Sequence, residues 1–408
     1  MTESTAALQW LAASQSEGEG GDALLDRMLD EFITADTAAC SATTATAAFK
    51  ALADQCRDAE TRTRLTQRSS KLAEASSAML KCIILSDPSP KSAESVDLLE
   101  QVLRCIGNLS IDNNEARSQL LACTGGIEAI AAALSLTKET PSLARAAFGA
   151  ALNTALDSAE CTKALLAAGA LLPHLKALDF VPSDVWPIVC TGLDNLCEHD
   201  DACALFEQHA EYAASVLRTL GELADRLKKG SEEEGEEDSE EDSKLLRGAM
   251  RTLVWVLCET VEKSDVVRAQ LCLPSTVLSV FDLLEFYLSA KNEQQPADAE
   301  TRAENPYADA VTQAIVGISG HEQALTVLFP SQPLMSRLVS ILTEQKRSDG
   351  MAAAAALCLG NMARSDEHCT QLVSQHPETV RTLISDWLIP RSVNVRTRHA
   401  ASGLLKNL

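Results

Sequence analysis

The sequence predicts an all-α protein, an armadillo-repeat right-handed superhelical solenoid, on three observations. A helix carrying a polar Asn near its end recurs: Asn108, Asn153 and Asn195 stand 45 and 42 residues apart, and Asn361 and Asn407 stand 46 apart. A helical period of about 40–47 residues marks armadillo and HEAT arrays. Within a period, a break such as Gly125–Gly126 separates two further helices, because glycine ends a helix by taking the left-handed conformation cheaply. The text is also rich in Ala and Leu, with aromatics at only 4%, which favours helices over strands. A three-helix unit of this kind cannot bury its apolar face alone, so stacked neighbours supply the core.

The elements follow in order. Residues 1–21 include the linker-like SQSEGEGG and read as a flexible N-terminus, and 22–408 read as a single armadillo-repeat domain. Within it, 22–90 forms an N-terminal cap of degenerate repeats: a helix over Asp22–Thr34 with Asp22 as N-cap, a second over Ala45–Gln55, and a long one ending near Ser86, before Pro88 and Pro90. QVLRCIGNLS (Gln101–Ser110) is the Asn-bearing helix of the first clear unit. Later units follow at Ser142–Asp157, Val185–Asp201, and in the text around Trp255, Tyr307, Asn361 and Asn407, about seven in all. Two insertions interrupt them. Residues 231–243 hold nine acidic residues in the twelve from Ser231 to Asp242, a like-charge block too dense to pack and so predicted to be a disordered acidic loop. Its serines, Ser231, Ser239 and Ser243, lie among acids, where phosphorylation deepens the charge. The second insertion is Lys291–Asn305.

Composition excludes several classes of function. A net charge of −23 repels a phosphate backbone, so nucleic acid is not expected as a partner; an acidic groove suits a basic protein segment instead. The 13 cysteines sit mostly at core-like helix positions, among them Cys105, Cys190, Cys197, Cys258 and Cys358, and read as reduced thiols of the cytosol, with the nucleus a second possible compartment. The N-terminus lacks a basic n-region, and no apolar run approaches the ~20 residues of a membrane span. No integral membrane segment is expected, and the chain is expected to be a monomer.

Catalytic and metal motifs are missing from the text. It holds no G-x-S-x-G, no phosphate-cradling G-x-x-x-x-G-K-[ST] and no H-E-x-x-H. His174, His209, His321 and His376 read as surface or loop residues. Cys190 and Cys197 are seven apart on one helix face, as core residues are, rather than in the tight pairs zinc uses, so neither His199 nor Cys203 completes a metal site. The expectation is a binding protein that is not an enzyme and carries no cofactor or metal.

The candidate sites are the recurring asparagines. An Asn amide offers donor and acceptor at once to a ligand's backbone. It can equally tie neighbouring helices together, since a buried amide must be satisfied; for Asn108, Asn153 and Asn195 the two readings stand level. An importin-type groove would add Trp four residues before each Asn, but those positions are Arg104, Gly149, Thr191, Leu357 and Gly403. Trp255 has a polar residue four on, Glu259, a further candidate groove position; without a Trp array there is no series of slots for Lys stems.

Three stretches, QVLRCIGNLSIDNNEARSQLLACTGGIE, AFGAALNTALDSAECTKALLAAGALLPHL and, above all, AAAALCLGNMARSDEHCTQLV followed by VNVRTRHAASGLLKNL, resemble the armadillo-class GDP-dissociation stimulators of small GTPases, the SmgGDS family. The order of the stretches matches from about residue 60 onward, while the acidic loop and the Lys291–Asn305 insertion depart from the pattern. The resemblance implies a guanine-nucleotide exchange factor and chaperone for Rho- and Rap-type GTPases with polybasic, prenylated C-termini. It implies a GTPase-binding groove at Asn361, Arg364, Asp366, Arg398, His399 and Asn407. The family continues beyond the point matching Leu408, and its later repeats contribute to GTPase binding. The alternative reading is a non-exchanging scaffold that binds basic peptides or partner proteins along the same groove.

Overall fold

The computed structural model describes residues 25–26, 29–33, 42–68, 71–86, 92–230, 238–289, 305–344, 348–390 and 393–408. The expected flexible segment 1–21, the Asp22 cap, residues 231–237 of the acidic loop and nearly all of the second insertion lie outside them. Every regular element among the described residues is helical. The chain divides into two compact units, Met1–Ala202 and Cys203–Leu408, where the sequence predicts one continuous domain over 22–408. Each unit has its own ladder of Asn-type or substitute ties, described below.

In the first unit, helical turns at 25–26 and 29–33 lead to α1 (Ala42–Gln55), which buries Phe49 fully against Phe32, ring centroids 5.2 Å apart. Three triplets follow: α2 (Ala59–Arg68), α3 (Lys71–Ser86) and α4 (Ala93–Ser110); α5 (Asn114–Ala122), α6 (Gly126–Leu136) and α7 (Ala144–Ala155); α8 (Ala159–Ala167), α9 (Leu171–Ala177) and α10 (Trp186–Glu198). The long helix foreseen up to Ser86 is two, α2 and α3. The third helices pack in series, α1 on α4, α4 on α7 and α7 on α10, while the second helices α3 and α6 pack on one another.

The junctions between triplets repeat as closely as the helices. After α4 and α7 the chain turns through Asp112 and Asp157, both at positive φ (47° and 56°), a conformation Asp tolerates better than most side chains. Asn113 and Ser158 then cap the next helix, accepting from the amides of Ala116 at 3.1 Å and Cys161 at 3.4 Å. Gly125, at φ 77°, makes the left-handed turn into α6.

Helix α11 (Asp200–Gln208) straddles the division between the units. The second unit continues with α12 (Ala210–Gly230) and α13 (Asp238–Lys263); α14 (Asp265–Leu271), α15 (Pro274–Ser289) and α16 (Pro306–Gly320); α17 (Ala324–Val327), α18 (Gln332–Thr343) and α19 (Asp349–Met362); then α20 (Asp366–Gln375), α21 (Pro377–Thr382) and α22 (Val395–Asn407). Here too the third helices stack, α13 on α16, α16 on α19 and α19 on α22. Ser264 and Ser365 cap α14 and α20 as Asn113 and Ser158 cap theirs.

One expectation needs correction. The helix α13 starts at Asp238, so 238–243, assigned to the disordered acidic loop, is helical backbone. The last second helix does not run evenly: α21 passes into a π-turn over Leu383–Leu388, which seats Trp387 so that its indole Nε1 donates to the Leu342 carbonyl at 2.9 Å. One extra residue per turn there re-aims a bulky side chain.

Candidate functional site

The third helices carry the candidate residues, and the asparagine amides turn out to join one repeat to the next. Asn108 Nδ2 donates to the Ala53 carbonyl at 2.8 Å, Asn153 to Gly107 at 3.1 Å, Asn361 to Val316 at 3.3 Å and Asn407 to Gly360 at 2.9 Å. Each acceptor lies on the preceding third helix, so α1, α4 and α7 are tied in the first unit and α16, α19 and α22 in the second. Asn195 differs, accepting through Oδ1 from Thr162 Oγ1 at 3.2 Å. Helices α13 and α16 contain no Asn; there the Cys258 thiol reaches the Ala310 carbonyl at 3.0 Å instead. Burial pushes that thiol up to about 12, with Glu262 adding to it, so it is a structural donor rather than a nucleophile.

In the first unit the third-helix face holds a groove of about 430 Å³ between α4 and α7. Gly149 lies on its floor, Asn108 and Asn153 border it, and Arg57, Arg104 and Arg145 stand around it with Glu100 and Asp184. The Arg104 guanidinium pairs with Asp54 at 2.8 Å and bonds Gln101; Arg145 pairs with the Asp184 carboxylate and reaches its carbonyl at 3.2 Å. Three arginines against two carboxylates do not make the acidic groove that the net charge predicts. Nine of the acids belong to the sequence run 231–242. Arg104 carried a signal in the sequence, since it occupies the position four before Asn108; Arg57 and Arg145 carried none.

In the second unit the implied GTPase-binding residues fall on α19, α20 and α22, with Arg364 in the turn between α19 and α20. Asn361 is half-buried and engaged on three sides: Nδ2 also donates to Ser319 Oγ at 3.1 Å, and Oδ1 accepts from Arg364 at 2.8 Å. Arg364 is exposed beside it, above Gly320. Asp366 is exposed in the first turn of α20. Arg398 is half-buried with its Nε unpartnered, while His399 and Asn407 are exposed on α22. Glu259 on α13 pairs with Lys263 at 2.8 Å. The residues brought together by a direct bond are therefore Asn361 and Arg364.

Of the four histidines expected at the surface or in loops, two are buried. His174 is 1% exposed, its Nδ1 2.8 Å from the Ala170 carbonyl and its ring edge-on to Phe148; burial drives its pKa down to about 4. His321 is buried at the end of α16, 3.6 Å from Asp265. Among the described residues no group of three or more His, Cys, Asp or Glu side chains is arranged to hold a metal, and no single helix is long and apolar enough to cross a membrane.

No family model matches the chain, and no curated protein matches it. Among solved structures the chain is similar to an engineered protein at 14% identity, covering 100% of this chain and 99% of that one with a TM-score of 0.37. It is similar to the UNC-45 chaperone, described as binding and folding muscle myosin, at 14% identity over 95% of this chain and 39% of that one, TM-score 0.48. A designed armadillo repeat protein is similar at 16% identity over 81% and 99%, TM-score 0.26. The chain's own helix order, its stacked third helices and its inter-repeat amide bonds make it an all-α armadillo-type repeat protein.

Proposed function

We propose that the chain is a cytosolic guanine-nucleotide exchange factor and chaperone for Rho- or Rap-type small GTPases with polybasic, prenylated tails. The observation that carries the reading is the resemblance of AAAALCLGNMARSDEHC and RTRHAASGLLKNL to the SmgGDS family. Those stretches fall on α19, α20 and α22, where Arg364, Asp366, His399 and Asn407 remain exposed. Exchange of this kind requires no group that makes or breaks bonds. It requires tighter binding of the nucleotide-free GTPase than of the nucleotide-bound one. The test is the rate of GDP release from a polybasic Rho-type GTPase, with and without prenylation. Acceleration that is lost on charge reversal at Asp366 and Glu367 is expected; no acceleration together with no binding of the prenylated form overturns the reading.

A second reading is a scaffold without exchange activity that binds basic peptides or partner proteins along the same groove. It predicts GTPase or peptide capture with no change in GDP release.

A further inference from the structure

The outward stripe of α13 bears Arg247, Arg251, Trp255 and Glu259, four residues apart and so one above another along the helix. Trp255 is 48% exposed, whereas Trp186 and Trp387 are buried. Beside it stands an aromatic wall: Tyr307 meets Trp255 edge-on at 6.1 Å and stacks on Tyr287 at 5.7 Å. Asn305 holds that wall in place, accepting from the Tyr307 amide at 3.1 Å and donating to the Tyr287 carbonyl at 3.1 Å. The Arg251 guanidinium lies over the Tyr307 ring, 5.6 Å from its centroid. The Tyr287 hydroxyl, inside the cluster, is buried and has no hydrogen-bond partner, an exception that buried polar groups rarely show.

The charges around this wall are unequally answered. Glu259 pairs with Lys263, Asp309 with Arg396, and Glu285 with Arg337 at 2.7 Å. Arg247 and Arg251 are exposed and have no carboxylate partner among the described residues. A cationic ligand finds the place over Tyr307 already filled by Arg251 and the nearest carboxylate on the stripe already paired. The vacancy is for anions, on a chain whose net charge is −23.

We propose that this stripe docks an acidic segment of a partner protein, with carboxylates meeting Arg247 and Arg251 and an adjacent apolar side chain lying on Trp255. Arginine suits this because its planar fork binds carboxylate in two parallel bonds while its face stays on the tyrosine. The proposal is independent of the exchange reading, which concerns a basic partner and the α19–α22 residues.

The test uses the full chain with a fluorescently labelled Glu/Leu peptide and its Lys/Leu counterpart, read by anisotropy and by tryptophan emission. The Glu peptide is expected to bind, more weakly as salt rises, and to shift the emission of the wild type but not of Trp255→Phe. Its affinity is expected to fall about tenfold or more in the double variant Arg247→Glu, Arg251→Glu, and in the same direction in the milder Arg247→Gln, Arg251→Gln, with far-UV circular dichroism and thermal midpoint recording that each variant is folded. Unchanged affinity in the folded double variants, no emission shift on binding, or preference for the Lys peptide overturns it.

Discussion

At the residue scale, an asparagine amide on a third helix is first a fastener. In three of the four ties its donor goes to a carbonyl in the last turn of the preceding third helix, at Ala53, Gly107 and Gly360, where the helix itself supplies no donor, and the loss on removing it is that of one partly buried hydrogen bond, about 1 kcal/mol. Asn361 makes two donations and accepts from Arg364, whereas Asn407 is exposed with one donation. Asn361→Ala is therefore expected to lower stability more than Asn407→Ala, by about 1–2 kcal/mol against well under 1, measured by urea denaturation of the full chain. Asn361→Asp keeps the shape but turns a carboxylate oxygen toward the Val316 carbonyl, so it is expected to cost at least as much as alanine. His174 gives a second prediction. Its folded pKa of about 4 lies below the ordinary 6.5, so the unfolded chain takes up the proton first. Stability is thus full above pH 6.5 and declines as pH falls toward 4, at about 1.4 kcal/mol per pH unit. Denaturation midpoints of wild type and His174→Leu between pH 7 and 4.5 check it: the variant should lose that slope, and equal slopes would show that His174 is not the group responsible.

At the element scale, the spacing of the third helices is set by what their contact positions lack. Gly107 on α4 faces α7 so closely that a Cβ would stand 3.2 Å from the Ala150 Cα and 3.3 Å from its amide nitrogen, and a Cβ on Gly317 of α16 would stand 2.7 Å from Val261 Cγ1. Gly149, on the same α7 face, has nothing within 4 Å. The three alanine substitutions should therefore differ in sign. Gly149→Ala gains helix propensity of about 0.5–1 kcal/mol, while Gly317→Ala must displace a packed methyl at a cost of about 1–3 kcal/mol. Gly107→Ala meets backbone, which gives way less readily than a side chain, and belongs with the second class. Thermal midpoints of the three variants decide it. These differences were closed to sequence reading, because Gly107, Gly149 and Gly317 are alike as letters and distinct only in what lies opposite. The recurrence of the Asn helices, by contrast, was open to it: a 45–46 residue step joins asparagines whose amides do the same work, Asn195 keeps the period with a different bond, and the step vanishes across α13 and α16, where Cys258 serves instead. The π-turn at Leu383–Leu388 and the burial of His174 depend on contacts made 45 residues away or in the next helix, and left no local mark.

At the scale of the whole molecule, charge separates two jobs that composition alone merges. A net −23 suggested an acidic groove, yet Arg57, Arg104 and Arg145 line the groove of one unit and α13 of the other carries Arg247 and Arg251, while nine carboxylates are concentrated in the sequence run 231–242. Under the proposed reading, long-range attraction of a basic partner and short-range recognition fall to different residues. Exposed charges act on encounter rather than on residence, because their field reaches about one Debye length, ~8–10 Å at physiological salt, and is screened beyond it. Replacing the nine acids of 231–242 by Gln or Asn takes away a large share of the net charge. With a polybasic peptide or GTPase tail as partner, the association rate of this variant is expected to fall several-fold at low salt and to converge with the wild type as salt rises, with the dissociation rate unchanged. Stopped-flow or surface-binding kinetics over a salt series measure both rates. A change confined to dissociation would mean that the acidic run grips the partner directly, and the division between steering charge and binding face would fail.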